Sequence, residues 1–346
     1  MKAVLVSQTG GLEALQYLDV DTPEPGVGEL LVKIAAAGVC SHDIAMRKGI
    51  LKRGIGLPFI PGHEISGIVV KVGAGVRRFK IGDRIATTQR KHVCGICEYC
   101  RSGRESYCEE LQFLGHGLDC GGGYAEYTTV GEENVCLVPE GVSMADASIA
   151  GCAIGSSLNA VRDVGKVKAG ETVLITGAGG GLGIHAMQIA HLCGATVLAV
   201  TSDPAKTAML RAAGADVVVT YERGGDFSAK VREVTAGRGV DVVIDNVGTP
   251  VFQSCRKSLD KEGRWVLVGE LAGDFVPFNP AQLIHNGSSM HSVHSSTRAH
   301  LQDCLNLLAG KRIRAFVDTE MPMGEVQQAH QRVESGKANG RVVLIP

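Results

Sequence analysis

The chain has 346 residues, a formal net charge of -1 at pH 7 and 11 cysteines. This length predicts two domains, and the near-zero charge gives no electrostatic reason for a nucleic-acid or anionic-membrane partner. The first apolar run is too short for a signal peptide and no run approaches membrane-spanning length, so we expect a soluble, cytoplasmic protein. In that compartment, we expect the cysteines to be free thiols or metal ligands rather than disulfides.

The first 150 residues or so predict a β-rich unit. Short runs containing β-branched residues are bounded by Gly, Pro and Asp, which is typical of strands separated by turns. These runs are "ELLVKIAAAGV", "ISGIVVKVGAGV", "GDRIATTQ" and "YAEYTTV". Little helical periodicity accompanies them.

The pattern changes near residue 155, where apolar strands begin to alternate with helices. The strands are "ETVLITG", "ATVLAVTS", "ADVVVTY", "VDVVIDNVG" and "GRWVLVGE". Strands without polar alternation, separated by helices, predict a doubly wound parallel sheet, so the fold class is α/β. The last fifty residues add two helices and a terminal strand, "GRVVLIP".

A glycine-rich loop joins the first of these strands to the next helix. It runs from Gly177 to Gly183 and reads G-x-x-G-x-x-G through Gly177, Gly180 and Gly183, with Gly179, Gly181 and Leu182 between them. Glycine permits a tight turn and close approach of a pyrophosphate, and the helix N-terminus offers free N–H groups to that anion. In this strand–loop–helix context the loop predicts a dinucleotide site, although a glycine-rich packing turn would look similar.

The second strand of this region bears on the choice of nucleotide. NAD sites usually carry an acid at its end for the ribose hydroxyl, but here the strand ends in Thr201 and Ser202. Both hydroxyls could donate to a 2′-phosphate, and Lys206 could add positive charge. The pattern therefore favours NADP(H), with NAD(H) left open because Asp203 could serve only as a helix cap.

Four cysteines lie within fifteen residues, at Cys94, Cys97, Cys100 and Cys108, with the spacing C-x2-C-x2-C-x7-C. Four thiolates suit a tetrahedral, structural Zn²⁺. A ferredoxin-type cluster is the main rival, but that motif has a last gap of three followed by proline. Here the last gap is seven and Glu109 follows. We therefore predict a structural zinc lobe over residues 91–110.

Several motifs together resemble the zinc-containing medium-chain dehydrogenase/reductase, or alcohol dehydrogenase, superfamily. They are "AAGVCSHD", "PGHEISGIVVKVGAGVRRFKIGDRI", the four-cysteine lobe, "GGYAEYTTV", "GAGGGLG" and the terminal "GRVVL". The resemblance covers essentially the whole chain. It implies a GroES-like catalytic domain at residues 1–153, a Rossmann NAD(P)-binding domain at 154–294, and a return to the catalytic domain at 295–346.

The resemblance also implies a second, catalytic zinc ion. Its ligands would be Cys40, His63 and Cys152, with Glu64 as a transient ligand and Asp43 holding the histidine. Taken singly, these cysteines and this histidine could equally be buried core residues. The implied reaction is hydride transfer between the nicotinamide and an alcohol or carbonyl compound, with zinc as the Lewis acid.

The resemblance carries further expectations and one departure. It implies that Arg341 reaches the cofactor pyrophosphate and Lys206 a ribose, although both could be solvated surface charges. Where the family usually has Ser or Thr two residues after the first zinc cysteine, this chain has His42. A histidine could itself accept the alcohol proton, or it could point away and leave that step to water.

The presence of His42 in place of the usual Ser or Thr keeps other functions open. Some relatives reduce activated C=C bonds of enoyl-CoA thioesters with NADPH, and the cations of "MRKGILKRG" could favour such an anionic substrate or simply form a solvated loop. Those cations are Arg47, Lys48, Lys52 and Arg53. A non-catalytic nucleotide-binding relative is a more remote alternative. The expected partners are a small-molecule alcohol, aldehyde or ketone and further copies of the chain, as a homodimer or homotetramer.

Overall fold

The computed structural model describes residues 1–51 and 54–346. The described residues separate into two compact units, Met1–Gly155 with Ser295–Pro346, and Ser156–His294. The chain therefore leaves the first unit once and returns to it once. The predicted crossings at 153/154 and 294/295 lie within two residues of these boundaries.

The strands are numbered in chain order. They are β1 (Lys2–Leu5), β2 (Gln16–Asp19), β3 (Glu29–Gly38), β4 (Glu64–Val72), β5 (Arg84–Thr87), β6 (Arg90–His92), β7 (Gln112–Phe113), β8 (Tyr127–Gly131), β9 (Val135–Leu137), β10 (Thr172–Ile175), β11 (Thr196–Thr201), β12 (Val217–Thr220), β13 (Val240–Asp245), β14 (Leu259–Leu267), β15 (Ser289–Ser292), β16 (Val317–Pro322) and β17 (Arg341–Ile345).

The α-helices are likewise numbered in chain order. They are α1 (Ser41–Arg47), α2 (Glu98–Arg101), α3 (Met144–Ser148), α4 (Gly155–Leu158), α5 (Gly183–Leu192), α6 (Thr207–Ala212), α7 (Ser228–Val234), α8 (Phe252–Ser258), α9 (Ala281–Asn286), α10 (Arg298–Ala309) and α11 (Val326–Glu334). Two π-helical stretches, Ala150–Ile154 and Asn159–Val164, flank α4.

The first unit is built on a seven-stranded sheet. Strands run in the order β16-β17-β3-β4-β5-β9, and β8 pairs with β3. The terminal strand β17 pairs antiparallel with β3, so both ends of the chain contribute to one sheet. The strand-rich prediction for this part is confirmed. It omitted α1, whose seven residues are too few to show a helical repeat.

The second unit contains a six-stranded sheet in the order β12-β11-β10-β13-β14-β15, in which every neighbouring pair is parallel. The predicted doubly wound α/β class is confirmed. Strand β10 is followed along the chain by β11 on one side, while β13 lies on its other side, so the strand order reverses between β10 and β13. Ligands of such sheets bind beyond the carboxyl ends of the strands at this reversal.

Buried apolar side chains explain why these strands are central. Val173, Leu174 and Ile175 of β10 are each fully buried, as a strand covered on both faces requires. Trp265 of β14 is also fully buried, and its indole N–H donates to Asp245 Oδ2 at 3.2 Å. A buried indole therefore has its hydrogen-bond partner, which removes the cost of leaving that donor unpaired.

Candidate active site

Four buried side chains of the first unit converge on one point. One ligand atom from each of Cys40, His63, Glu64 and Cys152 lies within 4.8 Å of the other three. Strands β3 and β4 bring three of them together, because Gly38 at the end of β3 is paired with Glu64 at the start of β4. Cys152 comes from the π-helical stretch Ala150–Ile154. Thus residues far apart in the chain form a compact set of two thiols, one imidazole and one carboxylate.

Asp43 holds the histidine of this cluster. Its carboxylate lies 3.1 Å from His63 Nδ1 and accepts from the Gly62 N–H at 3.2 Å, the Cys40 N–H at 3.0 Å and the Tyr124 hydroxyl at 3.1 Å. Burial opposes its ionisation, yet the facing His63 lowers the pKa of Asp43 below its usual range. The carboxylate is therefore ionised and fixes the His63 tautomer that leaves Nε2 free to ligate a metal.

Arg341 lies beside the same cluster. Its Nη2 donates to Glu64 Oε1 at 2.6 Å, and both side chains are almost fully buried. Burial raises the pKa of Glu64 to about 7, although the Arg341 charge opposes this shift. The contact of Arg341 with a cofactor pyrophosphate stays a prediction, and the structure adds that this arginine is hydrogen-bonded to Glu64 of the four-residue cluster.

His42 is paired with a second histidine that the sequence reading missed. The Nε2 atoms of His42 and His116 are 3.0 Å apart, and their rings stack with an interplanar angle of 5°. Phe113 stacks on His42, and the His42 and His63 ring centroids are 5.1 Å apart. The pair is separated by 74 residues and follows no spacing motif, so no local signal could have revealed it.

The basic segment near α1 is mostly engaged within the protein. Arg47 Nη2 lies 3.0 Å from each carboxylate oxygen of Glu334, and Lys48 also pairs with Glu334. Arg47 is buried. Lys52 and Arg53 lie outside the described residues. The two described cations therefore already have a carboxylate partner, which weakens the expectation that they bind an anionic substrate.

The four lobe cysteines form a second group of potential ligands. One sulfur each from Cys94, Cys97, Cys100 and Cys108 lies within 4.8 Å of the others. The Cys94 N–H lies 3.2 Å from Cys108 Sγ, and the Cys97 N–H lies 3.4 Å from Cys94 Sγ. Hydrogen bonds from the backbone N–H groups of Cys100 and Glu109 lower the pKa of Cys97 to about 6. An all-sulfur set held by backbone donors suits a closed, structural zinc site.

The predicted glycine loop connects β10 to α5 in the second unit. Gly177 has a φ of +57°, and a Cβ on Gly183 would lie 2.4 Å from the Gly177 carbonyl oxygen, so this turn requires glycine at both positions. His185 Nδ1 lies 2.6 Å from the Gly181 carbonyl oxygen. Sequence reading missed His185, which ties the first turns of α5 to the loop.

The end of β11 lies close to this loop. The Thr201 hydroxyl accepts from the Asp203 N–H at 3.1 Å, and the Asp203 carboxylate accepts from the Ala205 N–H at 3.0 Å. A Cβ on Gly179 would lie 2.7 Å from Lys206 Cδ, so the lysine side chain packs against the loop. Asp203 thus caps the turn beginning at Pro204, which is the alternative that left NAD(H) open, and Ser202 follows Thr201 at the strand end.

Comparison with known families agrees with this geometry. Residues 26–140 match the family of the alcohol dehydrogenase GroES-like domain, and residues 181–310 match the zinc-binding dehydrogenase family. Together these matches cover more than half of the chain. The chain belongs to the zinc-containing medium-chain dehydrogenase/reductase superfamily. The resemblance expected from the sequence motifs is therefore confirmed.

Similar proteins of this superfamily match along their full length. An NAD-dependent alcohol dehydrogenase of Sulfolobus acidocaldarius is 33% identical, with 99% of each chain covered. An acryloyl-coenzyme A reductase of Metallosphaera sedula is 32% identical, also with 99% of each chain covered. AibC, which has a crystal structure, is 41% identical in sequence, and the two structures superpose with a TM-score of 0.91 over 100% of this chain and 96% of that one.

Among the described residues, no helix has both the length and the hydropathy needed to cross a membrane.

Proposed function

We propose that the protein is a zinc-dependent oxidoreductase that transfers a hydride between NAD(P)(H) and an alcohol or carbonyl compound. The observation that carries this proposal is the buried meeting of Cys40, His63, Glu64 and Cys152 within 4.8 Å. Two thiolates and one imidazole form a zinc site that leaves a position for substrate. Together with the four-cysteine lobe, this gives two zinc ions per chain.

The residues of the cluster fit the proposed metal. When bound, zinc supplies Lewis-acid polarisation of an alcohol or carbonyl oxygen. The chain's own residues prepare the site: Asp43 orients His63, and Arg341 compensates the charge of Glu64 close to two thiols. His42 is the proposed acceptor of the substrate hydroxyl proton, and the neighbouring His116 supplies a hydrogen-bond partner for it.

The second unit is proposed to bind the nicotinamide cofactor through residues 177–183 and the N-terminus of α5. NADP(H) is favoured, because β11 ends in Thr201, with Ser202 next and Lys206 nearby, rather than in a carboxylate. NAD(H) is the competing choice, and the NAD-dependent relative supports it. Binding constants for NADPH and NADH measured on the same preparation decide between them.

Reduction of an activated C=C bond in an enoyl-CoA thioester is the second candidate. The acryloyl-coenzyme A reductase relative supports it, and so does His42 in place of a hydroxyl side chain. The engagement of Arg47 and Lys48 by Glu334 speaks against it, because both cations already share a carboxylate partner within the protein. A non-catalytic nucleotide-binding role would leave the complete ligand set without a purpose.

We further propose that the protein is cytoplasmic and forms a homodimer or homotetramer. Six of the eleven cysteines are proposed metal ligands, a use of thiols that suits a reducing compartment. Strand β15 lies at the edge of its sheet, with β14 as its neighbour. The same part of the chain exposes Leu271, Phe275 and Ile284, and a second copy could cover these side chains. The molar mass in solution, compared with that of Phe275→Glu, tests this surface.

One experiment tests the central proposal. Metal content per chain is measured alongside turnover of alcohols, aldehydes, ketones and enoyl thioesters with each cofactor. Close to two zinc ions and alcohol or carbonyl turnover are expected. Alkene reduction alone would favour the second candidate, whereas a preparation without metal and without turnover would favour the binding role.

A further inference from the structure

Cys152 is placed by backbone contacts that leave little tolerance. A Cβ on Gly151 would lie 2.1 Å from the Thr87 carbonyl oxygen, so the two backbones are in direct contact. On its other side, the Ser296 hydroxyl donates to the Gly151 carbonyl oxygen. Ser296 is fully buried. The residue preceding the cysteine is therefore held between β5 and the segment where the chain re-enters the first unit.

Arg90 also holds this re-entry segment, through hydrogen bonds to Ser295 and Ser296. Its guanidinium is 1% exposed, and Nη2 donates to the Ser296 carbonyl oxygen at 2.5 Å. Nη1 donates to the Ser295 hydroxyl at 3.2 Å, and Glu105 of the cysteine lobe lies 4.0 Å away. A buried guanidinium with these partners is costly to remove, because its loss leaves buried acceptors unpaired.

The backbone at the clamped position is strained. Ser295 has a φ of +63°, a conformation that a non-glycine residue adopts only where its surroundings impose it. The hydrogen bonds from Arg90 to Ser295 and Ser296 offset the free-energy cost of the positive φ at Ser295. Without them, the segment is expected to relax and carry the Ser296 hydroxyl away from Gly151.

We propose that Arg90 is a positioning residue that keeps Cys152 within the four-ligand cluster, acting through Ser296 and the Gly151 carbonyl. The inference rests on the proposed metal at Cys40, His63 and Cys152. Metal–ligand distances tolerate changes of only about 0.2 Å. A small shift of the Gly151 backbone would therefore move the adjacent Cys152 and weaken the bond between its sulfur and the metal. The sequence places Arg90 206 residues before Ser296, which is why no motif marks it.

The test uses three variants, Arg90→Gln, Ser296→Ala and the matched control Arg84→Gln. Arg84 also donates to a backbone carbonyl of the first unit, that of Val142 at 2.7 Å, but makes no bond to Ser296 or Gly151. Metal release to a chromophoric chelator is followed in time. Peptide mass spectrometry of alkylated cysteines assigns each release phase to Cys40 and Cys152 or to the lobe.

Arg90→Gln is expected to release the Cys40–Cys152 metal at least about tenfold faster than the unmodified protein, with a smaller change at the lobe, where Arg90 acts on Cys100 and Cys108 through its charge. Ser296→Ala, which removes the hydroxyl that donates to the Gly151 carbonyl oxygen, is expected to shift release in the same direction. Equal release from Arg90→Gln and Arg84→Gln would overturn the proposal. So would the loss of both metals together, because it would show general loosening of the unit.

Failure of the proposed function gives a different result. An unmodified protein holding metal only in the lobe would refute the catalytic zinc and not the role of Arg90. In that case, the alkylation rate of Cys152 itself is the readout. A faster rate in Arg90→Gln than in Arg84→Gln supports the clamp, and equal rates refute it.

Discussion

Replacing Asp43 by asparagine tests the physical basis of the proposed metal site at Cys40, His63 and Cys152. The carboxylate faces four groups, His63 Nδ1, the Gly62 and Cys40 N–H groups and the Tyr124 hydroxyl, at 3.0 to 3.2 Å. An amide replaces one acceptor oxygen by a donor, so in either orientation it turns a donor toward a backbone N–H. One buried unpaired donor costs about 1–3 kcal/mol.

Loss of the charge also acts on the metal site. In Asp43→Asn, His63 keeps at most a neutral amide oxygen in place of the charged acceptor at Nδ1, and such changes lower metal affinity about 10–100-fold. We therefore expect Asp43→Asn to unfold at lower urea concentration and to lose the cluster metal to a competing chelator, while the lobe metal stays bound.

Tyr124→Phe is the matched control for this prediction. It removes a single donor to Asp43 Oδ2 and leaves the charge in place, so we expect a loss of about 1 kcal/mol and a smaller change in affinity. If Asp43→Asn bound the metal as tightly as the unmodified protein, or no less tightly than Tyr124→Phe, the reasoning would fail.

Three other changes give separate tests. Burial lowers the pKa of His330 to about 4 from an ordinary 6.5, so its contribution to stability is complete above pH 6.5 and is lost as pH falls toward 4. His330→Phe should reduce this acid destabilisation by roughly 3 kcal/mol in urea titrations at different pH values. An unchanged pH profile of the free energy of unfolding contradicts the assignment. Cys94→Ser should remove one metal per chain and lower the melting temperature, unlike Cys193→Ser, which changes a thiol outside both clusters. Gly183→Ala places a Cβ 2.4 Å from the Gly177 carbonyl oxygen and should weaken dinucleotide binding measured by calorimetry. The metal content of the cysteine lobe should not change, which serves as the control for intact folding. Unaltered dinucleotide binding would argue against this loop as the site.

Local signals were sufficient for several features. The apolar strands predict the parallel sheet because the central strands β10, β11 and β13 are largely buried, so their own residues carry the information. The glycine loop and the four lobe cysteines are likewise contained in short stretches, where spacing alone restricts the chemistry. The set of Cys40, His63 and Cys152 was different, because it came from the family resemblance and no spacing could have supplied it.

What the sequence by itself determined is therefore the alternation of the central strands and helices, the lobe and the loop, since these depend on neighbours along the chain. Only the tertiary structure decided which distant groups meet: Arg341 with Glu64 across 277 residues, His42 with His116 across 74 and Arg90 with Ser296 across 206. Such pairs form because the sheets and buried cores bring remote backbone segments together. Their side chains are then paired because an unpaired polar group is costly in a buried place.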